Sequence, residues 1–262
     1  MIIKRLFSSM VKKSLQELGD DIPTIGISSA FKKTLNKYNT KVQVNFSPES
    51  KTILQEKPVI LVSNHPYVVE PFALLAVLPK REDVFIIAYS LLTGISSQLD
   101  KHIIPAYVRH HIISNKVGLL SLLVRELEKD KGSQLSAAES HLKNIESIRK
   151  ASQVVSHGAL VMIFPNPGKL TSDNKWFNGI GYLVKGIKNK KNTYIMMANI
   201  AGSSKYDFLR IVPVINRLFP AISVIFSSPL LCSTIVGQQS DPKKITSILE
   251  NRYNNWIASL IR

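Results

Sequence analysis

The segment Leu61-Val-Ser-Asn64-His65-Pro66-Tyr-Val-Val-Glu70-Pro71-Phe72 carries the side chains best suited to chemistry. Histidine ordinarily titrates near neutral pH, so it can take a proton from a substrate hydroxyl. A carboxylate five positions on can hold one ring nitrogen, fix the tautomer, and stabilise the imidazolium once the proton arrives. The local sequence favours this pairing. Val59–Val62 reads as a buried strand that ends near Ser63, and a residue before proline avoids the helical region, so His65 is extended in a loop at the strand's carboxyl edge. Pro71 suits the first turn of a helix, with Glu70 at its entrance. Open α/β sheets place their ligands at that edge. Taken alone, the pair fits a structural histidine better than a proton acceptor.

Other chemistries lack their residues. The chain has no Gly-x-Ser-x-Gly elbow, no Walker loop and no Gly-x-Gly-x-x-Gly fingerprint. A single cysteine, Cys232, excludes an intramolecular disulfide and a multi-cysteine metal site. Its apolar, Ser-rich surroundings make it a small buried residue, with nothing nearby to hold a thiolate. His110 and His111 are adjacent but have no acidic neighbours, which suits an exposed polar pair better than a metal site. No cofactor or metal is expected.

The elements that must position His65 alternate in type. Lys41–Phe46 alternates with period two, as a half-buried strand does. Val59–Val62, Val84–Ala88, Leu160–Phe164, Tyr194–Ile200 and Ile222–Phe226 read as buried strands, and Ile103–Val108 as a weaker one. Helical patterns cover Phe72–Val77, Val117–Glu128, Glu139–Val155 and Ile180–Ile187, with Lys131–Ser136 a flexible loop. Alternating strands and helices predict an α/β fold: a mixed, largely parallel sheet flanked by helices, with an N-terminal amphipathic helical segment. Asp241 and Pro242 open a last helix over 242–261, whose face is Ile245, Ile248, Leu249, Tyr253, Trp256, Ile257 and Leu260.

The division of the chain is residues 1–39, basic amphipathic helices, and 40–262, the α/β domain. Over 2–18, Ile3, Phe7, Met10, Val11, Leu15 and Leu18 recur at helical spacing, with Lys4, Arg5, Lys12 and Lys13 on the remaining arc. That pattern serves either a helix lying on an anionic membrane or one docked on the protein's own core. Asp20, Asp21 and Pro23 mark a break, and a second short helix covers 28–38. With 34 Lys plus Arg against 18 Asp plus Glu, the formal charge is +16, which fits anionic partners and equally a merely solvated basic surface. No helix-turn-helix, zinc-finger or RNA-binding signature accompanies it, so nucleic acid is not the expected partner. No stretch approaches the ~20 apolar residues of a membrane span, and the N-terminus lacks a signal peptide's apolar segment and cleavage site. The expected location is peripheral, on the cytoplasmic face of an anionic membrane.

The order of motifs around His65 resembles the lysophosphatidic acid and glycerol-3-phosphate acyltransferase family. Asn64-His65 with a carboxylate at Glu70 is similar to its His-x4-Asp signature, and Phe85-Ile-Ile-Ala-Tyr-Ser-Leu-Leu92 to its next strand and turn. Ile104-Pro-Ala-Tyr-Val-Arg109 resembles the segment ending in the second-motif Arg. Val161-Met-Ile-Phe-Pro-Asn166-Pro-Gly168-Lys169 falls where the family has Phe-Pro-Glu-Gly-Thr-Arg, and Phe177-Asn-Gly-Ile-Gly-Tyr-Leu183 resembles the segment beyond.

The resemblance implies acyl transfer from acyl-CoA or acyl carrier protein to the hydroxyl of a lysophospholipid. His65 is then the base, Glu70 orients it, and Arg109 and Lys169 meet the acceptor's phosphate. Asn64, Asn166 and Gly168 complete the implied substrate-binding set. Several positions depart from the pattern: Glu70 stands for Asp, Asn166 for Glu, Pro167 for Gly, Gly168 for Thr, Lys169 for Arg, and Met197 near a motif Pro. Asn166 removes a negative charge, Pro167 removes an N–H, and Lys169 lacks the bidentate fork of Arg. These changes suit another acceptor, or a catalytically silent, lipid-binding relative of the same fold.

Overall fold

The computed structural model describes residues 2–107, 135–166, 175–211 and 213–260. Helices α1 (Ile2–Ile25) and α2 (Ile27–Lys37) precede β1 (Val42–Asn45), α3 (Pro48–Glu56), β2 (Val59–Ser63), α4 (Glu70–Val77), β3 (Val84–Tyr89), α5 (Ser97–Asp100) and β4 (Ile103–Ala106). Then come α6 (Ala137–Ser156), β5 (Leu160–Ile163), α7 (Gly179–Gly186), β6 (Tyr194–Ala201), α8 (Pro213–Asn216), β7 (Ile222–Phe226), β8 (Leu230–Leu231), α9 (Cys232–Val236) and α10 (Pro242–Leu260).

The described strands make one eight-stranded sheet in the order β1-β7-β6-β2-β5-β3-β4, with β8 beside β6. β2 runs parallel to β5 and β6, β3 to β4 and β5, and β1 to β7; β7 and β8 are antiparallel to β6. This is the mixed, largely parallel α/β sheet that the alternation predicts. Every residue of β2 is buried, as a central parallel strand with both faces covered requires. Its side chains divide by parity. Val59 and Leu61 face a cluster built with α1, α2 and α4, whereas Ile60 and Val62 face one built with α6, α7 and α10.

The N-terminal helix passes straight through the expected break. Pro23 sits inside α1, and the turn falls instead at Gly26, whose φ of 79° is open to glycine at no steric cost. The acids near that point are matched by the next helix: Lys33 Nζ lies 2.6 Å from Asp21, and Lys37 Nζ 2.5 Å from Glu17. Leu15, Leu18 and Ile22 of α1, with Ile27, Ala30, Phe31 and Leu35 of α2, join the same buried cluster as Leu61, Leu74 and Met162. A continuous core therefore crosses the 39/40 boundary, and from residue 15 onward the apolar stripe of α1 faces the protein itself. Met10 remains exposed. Among the described residues no helix is long and apolar enough to cross a membrane.

Three further differences have local causes. β1 is largely exposed rather than half-buried, because it is the sheet's edge. Helix α3 escaped the apolar pattern, although Ser47 caps it by accepting from Ser50 N–H and Pro48 opens it. Ser136 forms a full capping box with Glu139, so α6 starts at Ala137 rather than Glu139, and residues 131–134 of the expected loop lie outside the described residues. The helix expected over 117–128 lies outside the described residues.

The amino ends of the strands are tied together by one side chain. The Arg81 guanidinium donates to Leu54 O at 2.8 Å, Lys57 O at 2.9 Å and Gly158 O at 2.9 Å, and forks onto both oxygens of Asp83 at 2.8 Å. It joins the end of α3 to the starts of β3 and β5. Partial burial raises the Asp83 carboxyl, but the Arg81 hydrogen bond and charge outweigh it and hold the group below its ordinary 3.8. A depressed folded value stabilises above the unfolded value and is lost as pH falls below it. Arg81→Ala should cost about 2–4 kcal/mol in urea unfolding at pH 7, because it strands three carbonyls. Asp83→Asn should flatten the loss of wild-type stability between about pH 5 and pH 3.

Candidate active site

At the opposite, carboxyl edge, β2 leaves the sheet through Asn64. The regular ladder pairs Ser63 with Ala198. Beyond it, Asn64 Nδ2 donates to Ile200 O at 2.8 Å and Asn64 Oδ1 accepts from Ile200 N–H at 2.8 Å. The side-chain amide thus replaces a strand residue's backbone and clamps the turn to β6. Ser63 Oγ donates to Asn64 O at 3.2 Å. Below the clamp, Tyr253 of α10 donates its hydroxyl to Ala198 O at 3.1 Å. Burial pushes the Tyr253 phenol well up, only partly offset by a hydrogen bond from the Asn64 backbone.

The clamp leaves His65 facing the start of α4. His65 Nδ1 lies 2.9 Å from Glu70 Oε2; the glutamate side chain is 0% exposed and the imidazole 20%. Glu70 is in the first helical turn, where unpaired N–H groups and the helix dipole favour a carboxylate. Its other oxygen, Oε1, is buried without a hydrogen-bond partner among the described residues. The imidazole packs on the ring of Phe164, with centroids 5.0 Å apart. β5 is the parallel neighbour of β2, so the residue after Ile163 arrives beside the residues after Ser63. With Nδ1 on Glu70, Nε2 is the ring nitrogen not engaged by the carboxylate.

The other expected site segments adjoin this edge. Asn166 follows two residues after Phe164 and is half-buried. Phe177 N–H donates to Pro165 O at 2.9 Å, and Trp176 N–H donates to Glu250 Oε1 at 3.1 Å, so the two ends of the 166–175 connection meet and are pinned to α10. Trp176 packs on Tyr253 at 5.4 Å, while Phe177 is exposed. β4 ends at Ala106, parallel to β3, and Tyr107 is clasped by Asn144. Its N–H donates to Asn144 Oδ1 at 2.8 Å, and its O accepts from Asn144 Nδ2 at 2.9 Å. Arg109, His110, His111, Pro167, Gly168 and Lys169 lie outside the described residues. Met197 is buried in β6, pairing with Val62.

Sequence reasoning missed the clamping role of Asn64, the matching one of Asn144, and the packing of Phe164 on His65. An Asn directly after a buried strand was the available signal for Asn64. Asn144 had none, because its partner is 37 residues away. Cys232 is buried as expected, and burial pushes its thiol up to about 11.

The sheet and site define an α/β protein with a histidine–carboxylate pair at the carboxyl edge of its central strand. Among solved structures, the chain is similar to the 1-acyl-sn-glycerophosphate (LPA) acyltransferase PlsC from Thermotoga maritima. That likeness has 13% identity and a TM-score of 0.44, over 88% of this chain and 80% of that one. No family model matches the chain, and no curated protein matches it. Similarity at this level assigns neither residue roles nor a substrate.

Asn64→Ala should remove both bonds to Ile200 and lower stability by about 1–3 kcal/mol, read from the urea midpoint. Asn64→Asp should cost at least as much, since it loses the donor and sets a carboxylate against a carbonyl oxygen. An unchanged midpoint for both would show that the clamp does not hold the turn.

Proposed function

We propose that the protein is an acyltransferase that moves a fatty acyl group from an acyl thioester to the free hydroxyl of a lysophospholipid such as lysophosphatidic acid. The observation that carries this reading is the 2.9 Å contact of His65 Nδ1 with a fully buried Glu70 at the carboxyl edge of β2. His65 Nε2 takes the acceptor's hydroxyl proton as its oxygen attacks the thioester carbonyl. The C–O bond forms, the C–S bond breaks, and the departing thiolate takes the proton back from the imidazolium. Glu70 fixes the tautomer and stabilises the imidazolium between those steps. The donor is acyl-CoA or acyl carrier protein, and the chemistry needs no cofactor.

On this reading Arg109 and Lys169 meet the acceptor's phosphate, beside Asn166 and Gly168. A direct contact from Asn64 would compete with its two bonds to Ile200. Acyl transfer from labelled acyl-CoA and acyl carrier protein to a panel of lysophospholipids tests the proposal. His65→Ala should lower kcat by roughly 10²–10⁴-fold. Glu70→Gln, which keeps the volume but not the charge, should lower kcat more than it changes KM. Activity that survives His65→Ala would break the mechanism.

The acceptor and product of this reaction reside in a bilayer, so the protein works at an anionic membrane surface. Deleting residues 1–20 would strip Leu15 and Leu18 from the core, so a milder change isolates the surface. Met10→Asp with Lys13→Glu alters only exposed positions of α1. It should weaken sedimentation with anionic vesicles while leaving the urea midpoint unchanged; equal sedimentation would remove α1 from the membrane contact.

A further inference from the structure

β6 and β7 are joined by residues 202–221, and the two ends of this connection lie together. Ala201 pairs with Ser223 across the antiparallel ladder. Arg210 Nη2 donates to Gly202 O at 2.9 Å and to Pro220 O at 3.1 Å, bridging both ends. Arg210 Nε donates to Asp207 Oδ1 at 2.8 Å, Nη1 donates to Asn216 Oδ1 at 3.4 Å, and Cζ lies 4.7 Å from the centre of the Phe219 ring. Asp207 also accepts from Ser204 N–H at 2.9 Å. Asn216 Nδ2 donates to Tyr38 O and, at 3.1 Å, to Thr40 Oγ1, which anchors the loop beside α2. A buried ion pair fills the interior, so the connection is a cross-linked knob.

Its outer surface is of another kind. Leu218 is 84% exposed, more than any other large apolar side chain among the described residues, and Tyr206 is 52% exposed. Lys205 and Arg217 are exposed beside them in sequence, and Lys205 Nζ stands 5.0 Å over the Tyr206 ring. The one acid in 202–221, Asp207, is buried against Arg210, so the charge this surface presents is entirely positive. The knob also follows the carboxyl end of β6, the strand to which Asn64 clamps the His65 turn.

Exposed leucine and tyrosine on a cross-linked loop, next to lysine and arginine in sequence, match the chemistry of an anionic bilayer interface. Acyl chains accept the apolar tip, and headgroup phosphates accept the cations. We propose that the 202–221 loop docks on an anionic lipid surface, with Leu218 and Tyr206 entering the headgroup region and Arg217 and Lys205 meeting its phosphates. This contact is separate from α1 and does not depend on the acyl-transfer reading. A leucine tip has no counterpart on the phosphate backbone of a nucleic acid, which makes lipid the better occupant.

A thiol probe tests it directly. Cys232 is the sole cysteine and is buried, so an environment-sensitive fluorophore on Leu218→Cys reports that position alone. Glu56→Cys, exposed at the end of α3 on the opposite edge, is the control. Mixed phosphatidylcholine and phosphatidylglycerol vesicles should shift the emission at position 218 to the blue and leave position 56 unchanged. Leu218→Asp and Arg217→Glu should each weaken partitioning about tenfold, with the urea midpoint unchanged. Vesicle binding without a shift at 218, no vesicle binding at all, or a shift with single-stranded DNA but not with vesicles would overturn the proposal. A wild type that docks through Leu218 yet transfers no acyl group would sink the enzyme reading and leave this one standing.

Discussion

The paired hydrogen bonds between the Asn64 amide and the Ile200 backbone govern what His65 can meet. A turn that leaves a central parallel strand would otherwise be free to swing at its first residue. With both amide ends bonded at 2.8 Å, the chain leaves β2 in one direction, and the imidazole arrives between the start of α4 and the ring of Phe164. Tyr253 supports the same point from α10 through Ala198. Three elements distant in sequence, β5, β6 and α10, therefore support the turn that carries His65.

That convergence makes a buried carboxylate tolerable. Glu70 is fully enclosed, and desolvating a carboxylate costs several kcal/mol unless partners offset it. One oxygen has the imidazole; the first turn of α4 supplies favourable dipoles; the other oxygen has no partner among the described residues.

Charge is used differently at the two edges of the sheet. Arg81 at the amino edge and Arg210 at the carboxyl edge each gather backbone carbonyls and one aspartate into a cross-link. Arg81 binds α3, β3 and β5 into a base that carries no functional residue named here. Arg210 stiffens a loop beside the site whose outer surface is apolar and cationic. The basic excess of the chain is thus not a uniform coat, because part of it is buried as structural fastening.

The class of fold was legible because β2, β3, β5, β6 and β7 are short apolar runs bounded by turn residues, and a strand buried on both faces must read that way. The His65–Glu70 pairing was legible for a local reason: Pro66 keeps His65 extended and Pro71 starts the helix, so five residues suffice to bring the groups together. Tertiary structure alone decided the rest. The apolar stripe of α1 suits a membrane or a core equally, and only the presence of α2 and α5 against it turns Leu15 and Leu18 inward. Asn64 shows as a polar residue after a strand, but its partner sits 136 positions away. Phe164 meets His65 only because β5 inserts beside β2, and Arg210 becomes a fastening only when β7 folds back on β6. Local propensity and periodicity are written in neighbouring residues. Contacts between distant segments depend on strand order, which no short window of sequence contains.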